Sequence, residues 1–170
     1  MSSTLVLTAR YGGGRLELTP VPHPHDPTHD RPTWSAKLVG RGFEGSANAG
    51  QFLGLEIEVA DGMVAEMICP ESPYADQLLH EFFDELYADR QGWDDEKTWV
   101  SHFEHLRFVA THDHVNTVTL TIEVRGIADP PWLASATLPV DPGLFHRIGA
   151  NAKLYGDRML AGDTESAETT

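Results

Sequence analysis

The chain has 170 residues, 41% of them hydrophobic, with 26 acidic against 12 basic side chains and a formal charge of −14. That length fits one domain, able to bury roughly two-thirds of its unfolded surface. The acidity argues against nucleic acid as a direct partner and against an anionic membrane surface, since both need clustered Lys and Arg; it is compatible with a basic protein partner and equally with plain solubility.

Thr4–Ala9 alternates apolar and polar residues as a strand does, Gly12, Gly13 and Gly14 permit a reversal, and Arg15–Thr19 alternates again. A phosphate-binding loop would need a Lys-Ser/Thr pair opening a helix, and Arg15-Leu16-Glu17-Leu18 opens a strand instead. Residues 20–32 are rich in proline and histidine and read as a surface loop. Trp34–Val39 with Phe43–Ala47, and Leu55–Val59 with Met63–Ile68 across Asp61-Gly62, read as two hairpins. Cys69 is the single cysteine, which excludes an intrachain disulfide; beside Met67 and Ile68 it reads as a small buried hydrophobe.

The period then changes. Ser72 as N-cap and Pro73 as first helical residue predict a helix over about 73–90, with Tyr74, Leu78, Leu79, Phe82, Phe83, Leu86 and Tyr87 inward and Gly92 as C-cap. Asp76, Glu81, Asp84, Glu85 and Asp89 fall on its other face. Trp93 and Trp99 bracket an acidic turn and are expected to plug the core. Leu106–Thr111 and Thr117–Arg125 are strands, the second with Val118, Leu120, Ile122 and Val124 on one face, and Trp132–Leu138 is a further one-faced strand. Asp141-Pro142 starts a second helix over about 142–156, with Leu144, Phe145, Ile148, Ala152 and Tyr155 inward. The expectation is a single α+β domain over 1–158, with antiparallel sheets of about eight strands covered by the two helices and a disordered acidic tail over 159–170. Met1–Arg10 lacks the pattern of a secretory signal and no run approaches the roughly 18 apolar residues of a membrane helix, so a cytoplasmic protein is expected.

Residues 71–105 hold 10 acidic and 2 basic side chains, −8 of the −14. A solvated helix face explains that distribution; an acidic docking surface made of Glu81, Asp84, Glu85, Asp89, Asp94, Asp95 and Glu96 is the sharper reading, because a one-signed patch steers a basic partner. Nine histidines invite a metal site. His23, His25 and His29, with Asp26 and Asp30, lie in the proline-spaced loop, which gives ligands little outer support. His102 and His105 share a face if their turn is helical, and His112 and His114 do so if the strand continues, but nothing in the sequence joins the two pairs. His112-Asp113 makes a poor catalytic dyad on a strand, and a surface hairpin histidine is expected there. Asp94-Asp95-Glu96 lacks the alternation and the turn glycine of a calcium loop, and the sequence carries no nucleophile elbow and no dinucleotide fingerprint. No cofactor is expected.

Phe82-Phe83-Asp84-Glu85-Leu86, Gly92-Trp93-Asp94, Trp99-Val100-Ser101, Leu106–Asp113, Val118–Arg125 and Trp132–Leu138 together resemble a family of small bacterial proteins of unknown function, common in actinomycetes, over roughly residues 75–155. The family carries glycine and a further histidine entering the long strand, where this chain has Asp113-His114-Val115-Asn116. The layout is also similar to that of some immunity proteins encoded beside secreted toxins, a likeness of fold alone. The function expected is a non-enzymatic acidic domain that binds a protein, most sharply an immunity-type protein engaging a basic partner. The alternatives are a small metal-dependent enzyme using His102, His105, His112 or His114, and a structural subunit of a larger assembly.

Overall fold

The computed structural model describes residues 4–8, 14–22, 28, 30–40, 63–72, 76–126 and 132–161. Eight strands form two antiparallel four-stranded sheets, and two helices complete an α+β domain. The first sheet runs β1 (Leu5–Thr8), β2 (Gly14–Pro20), β3 (Thr33–Gly40), β4 (Met63–Pro70), each strand beside its sequence neighbour. The second runs β5 (Lys97–Val100), β6 (Leu106–His112), β7 (Val118–Gly126), β8 (Trp132–Val140). The expected strand partners Phe43–Ala47 and Leu55–Val59 lie outside the described residues, as do His23, His25, Asp26 and His29; β4 itself pairs with β3 from Thr33↔Pro70 to Gly40↔Met63.

The prolines sit where a missing N–H costs least. Pro20 ends β2 opposite Trp34, beyond the last β1 pair at Leu5↔Leu18, and Pro139 lies in β8, the edge strand of its sheet. In β6 and β7 every second residue is buried, which is the pattern of sheets with one face on the core. β5 was not foreseen. It is four residues long, follows a charged turn and pairs with β6 so that Trp99 stands opposite Phe108.

The first helix, α1 (Leu79–Ala88), buries Leu79, Phe82, Phe83 and Leu86, as its periodicity requires. Phe82 and Phe83 pack on Phe108 with ring centroids 6.1 and 5.6 Å apart, and Phe83 stacks on Phe145 at 6.0 Å. Its limits differ from the expected 73–90. Residues 73–75 are outside the described set, residues 76–78 are not helical, and Leu78 takes the N-cap position instead of Ser72. The helix ends at Ala88 with Asp89 as C-cap, so Gly92 is not the cap; its φ of +132° serves the following turn.

Asp141 accepts a hydrogen bond from the Gly143 amide and opens a short 3-10 turn, Pro142–Leu144, that leads into α2 (Phe145–Leu160). The helix therefore extends past the expected end at 156 and takes in the first two residues assigned to a tail; residues 162–170 are outside the described set. Phe145, Ile148 and Ala152 are buried as expected, whereas Leu144 is exposed and Gly149 and Gly156 form the rest of the buried face. Those glycines allow close packing. A Cβ at Gly149 would lie 2.4 Å from Asp84 Oδ1 on α1, and one at Gly156 would lie 2.8 Å from Pro32 Cγ. Trp34, Phe82, Phe83, Phe108 and Phe145 belong to one contiguous core, which also takes in Trp93 and Trp99. Cys69 is fully buried in it, and burial pushes its thiol far above the ordinary range. No helix among the described residues is long and apolar enough to cross a membrane.

Candidate functional site

The seven acidic residues singled out in the sequence fall into four groups. Glu81 serves the helix itself: its carboxylate accepts a hydrogen bond from the Leu78 amide at 2.7 Å, the returning half of a capping box. Glu85 on α1 and Asp89, the C-cap four residues on, both bind the Lys97 ammonium at the start of β5. The bond to Lys97, with a second from Gln77 Nε2 at 2.6 Å, holds the Glu85 carboxyl below its usual range. Burial works against the charge on Lys97, but its two carboxylate partners outweigh that and its pKa is raised. Asp84 is exposed yet lies over the α1–α2 crossing at Gly149, beside the second helix. It does not stand on the far side of α1.

Asp94, Asp95 and Glu96 form the fourth group. They stand exposed in the turn between α1 and β5, with the Asp94 side chain 94% exposed. The turn is fastened on both sides, because Trp93 enters the core before it and Lys97 is held after it. Asp95 takes a left-handed φ of 64°, a conformation that Asp tolerates better than most residues. Asp94 Oδ1 lies 3.5 Å from His114 Nε2. Between residues 76 and 97 there are eight carboxylates against Arg90 and Lys97, a net −6. The −8 counted over residues 71–105 shrinks because Glu71 is buried and Glu104 faces Arg125 at 3.4 Å.

The four histidines do not gather. His102 and His105 precede β6 and His112 and His114 lie at its far end, so the seven residues of the strand, roughly 20 Å, separate the pairs. Among the described residues no group of three or more His, Cys, Asp or Glu side chains is placed to hold a metal ion. His105 Nδ1 lies 3.1 Å from the Arg125 carbonyl, and the exposed Phe103 ring sits 3.9 Å from the His102 ring in a turn where Phe103 and Glu104 have φ of 60° and 57°.

His112 is not the surface histidine expected. Its ring is buried, edge-on to Trp93 at 5.0 Å. Nδ1 accepts from the His114 amide at 2.7 Å, which leaves Nε2–H to donate to the Arg90 carbonyl at 3.1 Å. Nδ1 lies 3.8 Å from Asp113 Oδ1, too far for a hydrogen bond, and that oxygen already accepts from the Val115, Asn116 and Thr117 amides. Those amide bonds, the Thr117 one foremost, hold the Asp113 carboxyl below its usual range. The pair is a hairpin brace. It is not a catalytic dyad.

One polar residue escaped the sequence reading altogether. Glu71 follows β4 and is 2% exposed. Its carboxyl accepts from Trp34 Nε1 at 2.8 Å and from the Leu79 amide at 3.1 Å, and its own amide donates to the Pro32 carbonyl. Burial pushes its pKa up to about 7; the Trp34 and Leu79 bonds and Arg31 oppose that rise, and Glu81 adds to it. Glu71 thus supplies one of the acceptors that the α1 N-terminus needs, which accounts for the helix starting at Leu79.

A cleft of about 310 Å³ lies between β1, the end of β8 and the start of α2, lined in part by Val6, Leu144, Arg147 and Asn151, and neither the acidic residues nor the histidines line it. The model of a family of unknown function, DUF6228, matches residues 29–155, and the chain belongs to that family. The match begins well before residue 75 and so takes in β3 and β4 as well. No curated protein and no solved structure matches the chain.

Proposed function

We propose that this member of the DUF6228 family is a binding domain that engages a basic protein partner through the turn Asp94–Glu96 and the adjoining carboxylates of α1. One observation carries the reading: three consecutive exposed acids project from a turn anchored at both ends, while Lys97 is committed to Glu85 and Asp89 and the Arg90 guanidinium lies 4.5 Å above the Tyr87 ring. A fixed one-signed patch raises encounter rates with an oppositely charged surface and disfavours like-charged ones. An immunity-type role, in which this face covers a basic toxin, is the most specific form of the proposal, and a cytoplasmic location accords with it.

The experiment is capture of partners from the protein's own cells by unaltered protein and by the triple variant Asp94→Lys, Asp95→Lys, Glu96→Lys. The unaltered protein should retain a basic partner at about 50 mM salt and lose most of it at about 500 mM. The triple variant should lose it at both. Equal capture by the two proteins would remove this face from the function.

A further inference from the structure

Glu71 is the one carboxyl among the described residues that is almost wholly withdrawn from water, and it sits where three parts of the chain meet. One oxygen holds the Trp34 indole on β3, the other holds the first amide of α1, and its backbone is tied to Pro32. Gly156 of α2 packs on Pro32 and Trp34, the two residues that Glu71 binds. Among the described residues, Arg31 and Glu81 are the charged groups whose fields reach it, one favouring and one opposing ionisation.

We propose that Glu71 is a proton-operated latch: when its carboxyl is neutral the start of α1 stays docked on Trp34, and when it ionises the latch opens to water. The chemistry is that of a buried carboxyl. Both N–H bonds favour the carboxylate, but burial outweighs them, so the carboxylate must either bear its desolvation or move toward water. Burial outweighs the bonds and the Arg31 charge, so ionisation falls near neutral pH, within reach of ordinary physiological change. The latch stands apart from the binding reading: it concerns how α1 is seated, whether or not the acidic turn meets a partner.

The test is a pH titration of the whole chain labelled with 5-fluorotryptophan and followed by fluorine NMR, the Trp34 signal being identified by its loss in Trp34→Phe. The Trp34 signal should shift with a midpoint of about pH 7 in the unaltered protein and stay still in Glu71→Gln, whose amide keeps an acceptor but cannot ionise. A Trp34 signal that is constant from about pH 5.5 to about pH 8.5, or one that titrates equally in Glu71→Gln, overturns the proposal. Should Glu71→Gln fail to fold, amide exchange in the unaltered protein decides. Protection of the Leu79 amide relative to that of Phe82 should fall about tenfold between about pH 6 and about pH 8, and an unchanged ratio overturns it.

Discussion

The two ends of α1 are secured by the same means with different chemistry. At the start, Glu71 from the end of β4 accepts from the Leu79 amide; just past the end, His112 from β6 donates to the Arg90 carbonyl. Each side chain is buried, each reaches across from a different sheet, and each makes a second bond, Glu71 to Trp34 and His112 to the His114 amide. The imidazole meets its two partners with one donor and one acceptor. The carboxyl has only acceptors when ionised and must carry its charge into the core. A buried brace that ionises must carry its charge where water is scarce, and at the Glu71 end burial opposes that charge.

The largest expected effect comes from removing what lies between the braces. Phe83→Ala strips the ring packed on Phe108 and Phe145 and should cost about 3–5 kcal/mol by urea denaturation, an upper bound for either end. Phe82→Asp, which places an unpaired charge in the same core, should leave too little folded protein to measure.

Next comes the pH dependence of the Glu71 end. The folded pKa is raised to about 7 from 4.5, so its contribution is fully present below about pH 4.5 and is lost as pH rises through about 7. Stability of the unaltered protein relative to Glu71→Gln should therefore rise by about 3 kcal/mol from pH ~8 down to pH ~4.5. A difference that is flat across that range would show that Glu71 ionises no differently in the folded and unfolded chain. His112→Ala leaves the Arg90 carbonyl and the His114 amide without their partner and opens a gap beside Trp93, and should cost about 2 kcal/mol. Glu81→Ala removes only the returning cap bond and should cost about 0.5–1 kcal/mol. Smallest of all, Asp94→Lys and Glu96→Lys should each change stability by less than about 0.5 kcal/mol, since neither is buried or held at a left-handed φ.

The apolar faces of α1 and β7 were legible because each repeats a simple period, and Leu79, Phe82, Phe83, Leu86, Val118, Leu120, Ile122 and Val124 are all buried. The role of Trp93 and Trp99 was legible too, because an indole between an amphipathic helix and a strand has little else to do. The helix start was misplaced because Ser72-Pro73 is a good local cap signal, yet the acceptor that fixes the start is the carboxyl of Glu71, eight residues before Leu79. β5 was missed because four residues after three acids show no period of their own until Phe108 pairs with Trp99.

The acidic residues of the candidate site were visible as a count, but which of them face a partner was not. Glu85 and Asp89 are spent on Lys97, Asp84 lies against α2, and the turn Asp94–Glu96 stands exposed, with Asp94 beside His114. What the sequence determined by itself is therefore what a period or a sum can express: the half-buried strands, the inward stripe of α1, one α+β domain and its net charge. What the tertiary structure decided is which polar groups lose their water. Glu71 and His112 look like loop and hairpin residues until Trp34, Leu79 and Arg90 close over them, because desolvation depends on neighbours brought from elsewhere in the chain.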